Sequence, residues 1–117
     1  MYRDGVGLTK NDAQALRLFQ EAADQGDTAA QNSVGAAYQN GQGVPQDYAE
    51  AMKWYRKAAD QGDVDGLYNV AHLYDEGLGV PSDREEAVRW FQKAAEKGHQ
   101  EAKSRAKPWY MRVFDRF

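Results

Sequence analysis

Apolar residues recur along this chain with helical spacing, and the same stripe returns at a fixed interval. Ala15, Leu18, Phe19 and Ala22 stand at i, i+3, i+4 and i+7. Ala51, Trp54, Tyr55 and Ala58 repeat that spacing, as do Ala87, Trp90, Phe91 and Ala94. Such spacing puts each set on one face of a helix. It predicts helices over 11–25, 47–61 and 83–97 with those faces turned to a core. A second stripe, Leu67, Val70, Ala71 and Tyr74, has a weaker copy at Ala30, Val34, Gly35 and Tyr38; it predicts helices over 28–40 and 64–76. Start signals agree. Asp47 with Glu50, and Asp83 with Glu86, have capping-box spacing, in which a side-chain oxygen accepts from a backbone N–H that the first helical turn leaves unpaired. Asn11 with Gln14 is a weaker form of the same signal.

The interval is 36 residues. Gly5, Gly41 and Gly77 are that far apart, and so are Gly7, Gly43 and Gly79, and Gly26, Gly62 and Gly98. Nine of the eleven glycines therefore occupy three columns, which points to a backbone requirement that recurs. Other columns agree: Pro45 and Pro81, Tyr2, Tyr38 and Tyr74, and the aromatic set Phe19, Tyr55 and Phe91. Gly35 and Ala71 share a small-residue column suited to close helix approach. Units that cannot bury their apolar faces singly must stack, so the pattern predicts an all-α solenoid. The expected arrangement is a single domain, 1–117, with repeats over about 5–40, 41–76 and 77–107. In that frame Trp54, Trp90, Tyr55, Phe91, Tyr38 and Tyr74 are packing residues rather than a ligand cage.

The run from Gly41 to Gly62, Gly-Gln-Gly-Val-Pro-Gln-Asp-Tyr-Ala-Glu-Ala-Met-Lys-Trp-Tyr-Arg-Lys-Ala-Ala-Asp-Gln-Gly, closely resembles the Sel1-like repeat, a longer-loop relative of the tetratricopeptide repeat. The likeness covers residues 2 to about 102. It implies a right-handed α/α superhelix used as a protein-binding scaffold. Family members serve as adaptors in bacterial secretion, virulence and signalling, and in quality control in the endoplasmic reticulum. Some bacterial relatives carry a disulfide in every repeat; this chain has no cysteine.

The two ends depart from the pattern. Tyr2 aligns with Tyr38 and Tyr74, so the first repeat starts in mid-pattern, as in a domain cut from a longer protein or one lacking a cap. At the other end Lys103 and Lys107 stand in the columns of Leu67 and Ala71. Pro108 falls where a helix should continue. Residues 108–117 place Tyr110, Val113, Phe114 and Phe117 at helical spacing. They are expected to form a C-terminal capping helix over the last apolar edge. The competing reading is a basic amphipathic helix for a membrane surface or a partner groove.

In tetratricopeptide-like solenoids the helices with the small-residue column line the concave groove. By resemblance, the groove helices here are 28–40 and 64–76. The flanks of their packing stripes are then the candidate contact residues: Asn32, Ala36 and Gln39 from one helix, and Tyr68, His72 and Asp75 from the other. They pair at the 36-residue offset, Asn32 with Tyr68, Ala36 with His72 and Gln39 with Asp75, and they vary where the packing columns repeat. Tyr68 is the sharpest candidate, since an exposed aromatic offers large contact area at low entropic cost. His72 is a candidate for ligand binding or pH response, and His99, in the column of Asp27 and Asp63, is expected to act as a turn or cap residue.

Composition narrows the function classes. The net charge of −3 does not supply the basic footprint that nucleic-acid binding needs. No apolar run approaches the roughly 18 residues of a membrane span. Residues 1–15 are polar and carry no apolar leader segment, and either cytoplasm or periplasm fits. The two histidines lie 27 positions apart, and no serine-nucleophile elbow, phosphate loop or zinc-protease motif occurs. The Gly-x-Gly turns follow helices rather than strands, so they are structural. The chain is expected to be non-catalytic, with no metal and no cofactor. The leading expectation is an adaptor that takes a peptide or protein segment in its groove. The alternatives are a self-assembling or structural repeat segment with an open N-terminal edge, which would make a homo-oligomer, and a bacterial immunity or accessory protein.

Overall fold

The computed structural model describes residues 10–106. They form six helices: α1 (Lys10–Asp24), α2 (Thr28–Asn40), α3 (Tyr48–Asp60), α4 (Val64–Glu76), α5 (Arg84–Glu96) and α6 (Gln100–Arg105). The described residues contain no strand. Each helix packs mainly on its neighbours in sequence, and α2 also touches α4. That series of nearest-neighbour contacts is an α/α solenoid. Residues 1–9 and 107–117 lie outside the described residues, and with them the expected capping helix at 108–117.

The capping signals work as read. Asp47 accepts from the Glu50 N–H at 3.1 Å and Asp83 from the Glu86 N–H at 3.0 Å. Asp27 and Asp63 do the same for α2 and α4, accepting from Ala30 and Gly66 at 3.0 and 2.9 Å. Each bond satisfies one donor that the first turn leaves unpaired. In the same column His99 caps α6, its Nδ1 accepting from the Ala102 N–H at 3.2 Å. The weaker signal at Asn11 lies outside the residues whose side chains are described.

Two apolar clusters form the core. The larger joins α3, α4, α5 and α6 around Tyr55, Leu67, Val70, Leu73, Trp90 and Phe91. The smaller joins α1 and α2 through Leu16, Ala23, Ala30 and Val34. The stripe predicted for α1 is the exception to the pattern. Leu18 is 66% exposed and Phe19 44%, whereas Leu16 and Ala23 are buried against α2. The reason lies in the repeat. Tyr55, in the Phe19 column, rests against α2, and Phe91 touches Tyr68 of α4. Each thus packs on the helix before its own, and among the described residues no helix precedes α1. Trp54 is also less enclosed than its column partner Trp90. It is half-buried at the edge of the smaller cluster, with the Lys57 ammonium 4.9 Å from its ring centroid. Trp90 is buried, its Nε1–H donating to Glu86 at 3.0 Å.

Gly35 shows why its column is small. A Cβ there would lie 2.6 Å from Cε1 of Tyr55, so the ring of α3 occupies the space of the missing side chain. Tyr55 is buried, and its hydroxyl donates to Oε1 of Gln39 at 2.7 Å. Burial pushes this phenol from the ordinary 10.0 up to about 12. A group whose folded value is raised keeps its full contribution below the unfolded value and loses it as pH climbs through the folded one. Folding stability should therefore decline between about pH 10 and 12. Tyr55→Phe should make that decline shallower in urea titrations run across the range. Profiles of equal slope for the two proteins would refute the assignment.

Candidate partner-binding groove

The helices α2, α4 and α6 run side by side and form one face of the solenoid. Contact between α2 and α4 is direct, and Tyr68 and Asp75 of α4 reach His99 and Arg105 at the start and end of α6. All six residues expected in a groove are half-buried on α2 and α4. Four of them are already engaged within the protein, and the pairings follow the repeat.

Asn32 donates through Nδ2 to the Asp63 carboxylate at 2.6 Å, tying α2 to the cap of α4. One repeat later the same two columns hold Tyr68 and His99. There the hydrogen bond is replaced by a ring stack, with centroids 4.3 Å apart and planes 8° from parallel. Tyr68 also meets Phe91 at 5.4 Å and lies under the Arg105 guanidinium at 6.0 Å. Its phenol is pushed upward, first by burial and then by a hydrogen bond to Glu101, with Arg105 opposing.

The other pair behaves alike. Gln39 accepts the Tyr55 hydroxyl. In the next repeat Phe91 has no hydroxyl, and Asp75 stands where Gln39 did. Asp75 instead pairs with Arg84 and, at 3.9 Å, with Arg105. Loss of the phenol and the change of its acceptor therefore occur together, as one would expect if these columns couple neighbouring repeats. Gln31 adds a buried link: its Nε2 donates to the Ala23 carbonyl at 3.1 Å, and its Oε1 accepts from Gln61 at 3.0 Å.

Ala36 and His72 differ from the other four. Among the described residues neither has a hydrogen-bond, ion-pair or ring partner, and they share one column at the centre of the face. Helical spacing places further residues beside them: Ala29 and Asn40 on α2, Asp65 and Glu76 on α4, and Glu101 on α6, all exposed. The sequence stripes did not single these out, because an exposed polar residue on one helix looks like any other. Their signal is the shared 36-residue column, Ala29 with Asp65 and Glu101, and Asn40 with Glu76. Among the described residues no group of three or more His, Asp or Glu side chains could hold a metal ion. No helix of the described residues is long and apolar enough to cross a membrane.

The 36-residue interval of these contacts matches the period of a known family. The model of the Sel1 repeat fits three times, over residues 1–27, 28–63 and 64–99. The chain belongs to the Sel1 repeat family. Solved structures agree. A Sel1 repeat protein from Oxalobacter formigenes is 36% identical with a TM-score of 0.78, over 87% of this chain and 42% of that one. The protective antigen c5321 of uropathogenic Escherichia coli, which displays an SLR fold, is 45% identical with a TM-score of 0.78, over 84% of this chain and 21% of that one. This Sel1 chain thus spans less than half the length of either protein. Helicobacter pylori cysteine rich protein B is 27% identical with a TM-score of 0.72, over 76% of this chain and 67% of that one. Among proteins with curated descriptions, none matches. Sel1 repeat proteins generally act as protein–protein interaction scaffolds and are typically non-catalytic.

Proposed function

We propose that this Sel1 repeat protein binds a peptide or protein segment along the groove formed by α2, α4 and α6. The observation that carries the reading is the contrast between columns. Packing columns repeat from one unit to the next, whereas Ala36 and His72 vary and make no internal bond. Asn32, Gln39, Tyr68 and Asp75 flank them and set the groove's shape through their contacts between repeats. A rigid frame that presents variable residues on one face is how repeat proteins build extended binding surfaces.

The contacts also decide how to test it. Substituting Tyr68 or Gln39 would disturb the junctions between repeats, so lost binding could come from lost folding. Ala36 and His72 are clean probes. A bulky, uncharged Ala36→Tyr, His72→Tyr variant should lose the proteins that wild type captures from extracts of its own cells. A Lys53→Ala, Arg89→Ala variant, altered on α3 and α5, should keep them. If all three retain the same partners, the groove does not bind them.

A second reading, assembly between copies, is favoured by the apolar face of α1. Leu18 and Phe19 are the large hydrophobic side chains left exposed among the described residues. Sedimentation at two concentrations decides: a dimer that Phe19→Ser abolishes supports assembly, and a monomer at both removes it.

A further inference from the structure

The charges of this protein are sorted between its faces. The helices α3 and α5 carry both signs, with Lys53, Arg56 and Lys57 beside Glu50 and Asp60, and Arg84, Arg89 and Lys93 beside Glu85, Glu86 and Glu96. Two of the groove helices, α2 and α4, do not, whereas α6 carries Glu101 with Lys103 and Arg105. Over its full length α2 has no charged residue, and α4 has Asp65, Asp75 and Glu76 but no Lys or Arg. Asp75 is offset by Arg84 and Arg105. Asp65 and Glu76 are exposed beside His72, and neither forms an ion pair among the described residues. Glu101 extends the Asp65 column onto α6, where its 3.5 Å pair with Arg105 leaves the carboxylate 60% exposed. Lys103 is exposed on α6 but in a different column from Glu101. It stands in the column of Gln31 and Leu67, which are buried toward the core side of their helices, away from the groove.

Resting on the groove reading above, we propose that the partner segment is cationic: a stretch with lysine or arginine side chains over α4 and α6, and small uncharged residues over Ala29 and Ala36 of α2. Like charges facing Asp65 and Glu76 would be rejected, and opposite charges steered in, more strongly at low salt. The uncharged α2 end fixes which way such a segment lies.

Two labelled synthetic peptides of equal length, Gly-Ser-Lys repeats and Gly-Ser-Glu repeats, test this by fluorescence anisotropy on the full chain. The lysine peptide should bind, and added salt should weaken it. Asp65→Asn with Glu76→Gln should weaken it about tenfold. Asp60→Asn with Glu96→Gln, which changes net charge equally on the other face, should not. Thermal melting checks that both variants fold. Equal loss in the two variants, no binding of the lysine peptide at low salt, or equal binding of the glutamate peptide each overturns the proposal. Partner capture that remains sensitive to Ala36→Tyr, His72→Tyr would then show that the groove binds but that its charge is not the determinant.

Discussion

Phe91→Ala is expected to destabilise the protein by roughly 3–5 kcal/mol, the range for truncating a buried phenylalanine. Phe91 is 1% exposed and lies at the junction of three helices. It packs against Tyr68 of α4, and the Arg105 guanidinium of α6 sits 5.8 Å from its ring centroid. The buried cluster to which Phe91 belongs includes Val70, Ala71 and Leu73, which are fully buried, so the site has little room to collapse. Domains of this size have total stabilities of about 5–15 kcal/mol, so the loss is a large fraction of the whole. In a solenoid it falls on one interface and cannot be spread over a central core. The same column supplies the control. Phe19 is 44% exposed, and Phe19→Ala should shift stability by less than about 1 kcal/mol. Urea denaturation followed by circular dichroism measures both. Midpoints that move equally would mean that position in the array does not decide what an aromatic of this column contributes.

That contrast also marks what the sequence makes legible. Periodicity identifies an aromatic column and assigns it to packing, and for Tyr55 and Phe91 the assignment holds. It cannot say which member lacks a neighbour, because burial is a property of the adjacent helix and not of the residue. Leu18 and Phe19 therefore read as core and stand exposed. Helix ends were legible for a different reason. Asp47, Asp63 and Asp83 act on the backbone three residues ahead, a local interaction that spacing alone encodes. The groove lies between these cases. Columns 36 residues apart point to a variable face, and Ala36 and His72 stand half-buried on α2 and α4 in one such column. They do not reveal that Asn32 reaches Asp63 or that Tyr68 lies flat on His99. Those contacts depend on side-chain reach across a helix junction. The available signal was the pairing of changes: where Asp63 becomes His99, Asn32 becomes Tyr68.

Gly79→Ala should be the most damaging of the glycine substitutions, at roughly 2–5 kcal/mol, and for two separable reasons. Gly79 has φ +77°, in the left-handed region where an L side chain crowds its own carbonyl. That term is about 1–2 kcal/mol. The second term is contact. A Cβ at position 79 would lie 2.6 Å from the carbonyl carbon of Tyr48 and 2.8 Å from the nitrogen of Ala49. These are backbone atoms at the start of α3, held by the Asp47 cap, and they cannot swing aside as a flexible side chain would. Relief requires the turn after α4 to lift from α3, which separates two adjacent repeats. Gly98 isolates the first term. Its φ of +98° is equally left-handed, but nothing lies within 4 Å of the position a Cβ would take. Gly98→Ala should therefore cost only the conformational part, about 1–2 kcal/mol. Spacing in the sequence predicts a glycine at both sites for the same conformational reason. The difference between them measures how tightly the Gly-x-Gly turn after α4 is pressed onto the start of α3. If chemical denaturation shows equal losses for the two variants, the turn is not clamped on α3, and the second glycine of the motif serves conformation alone.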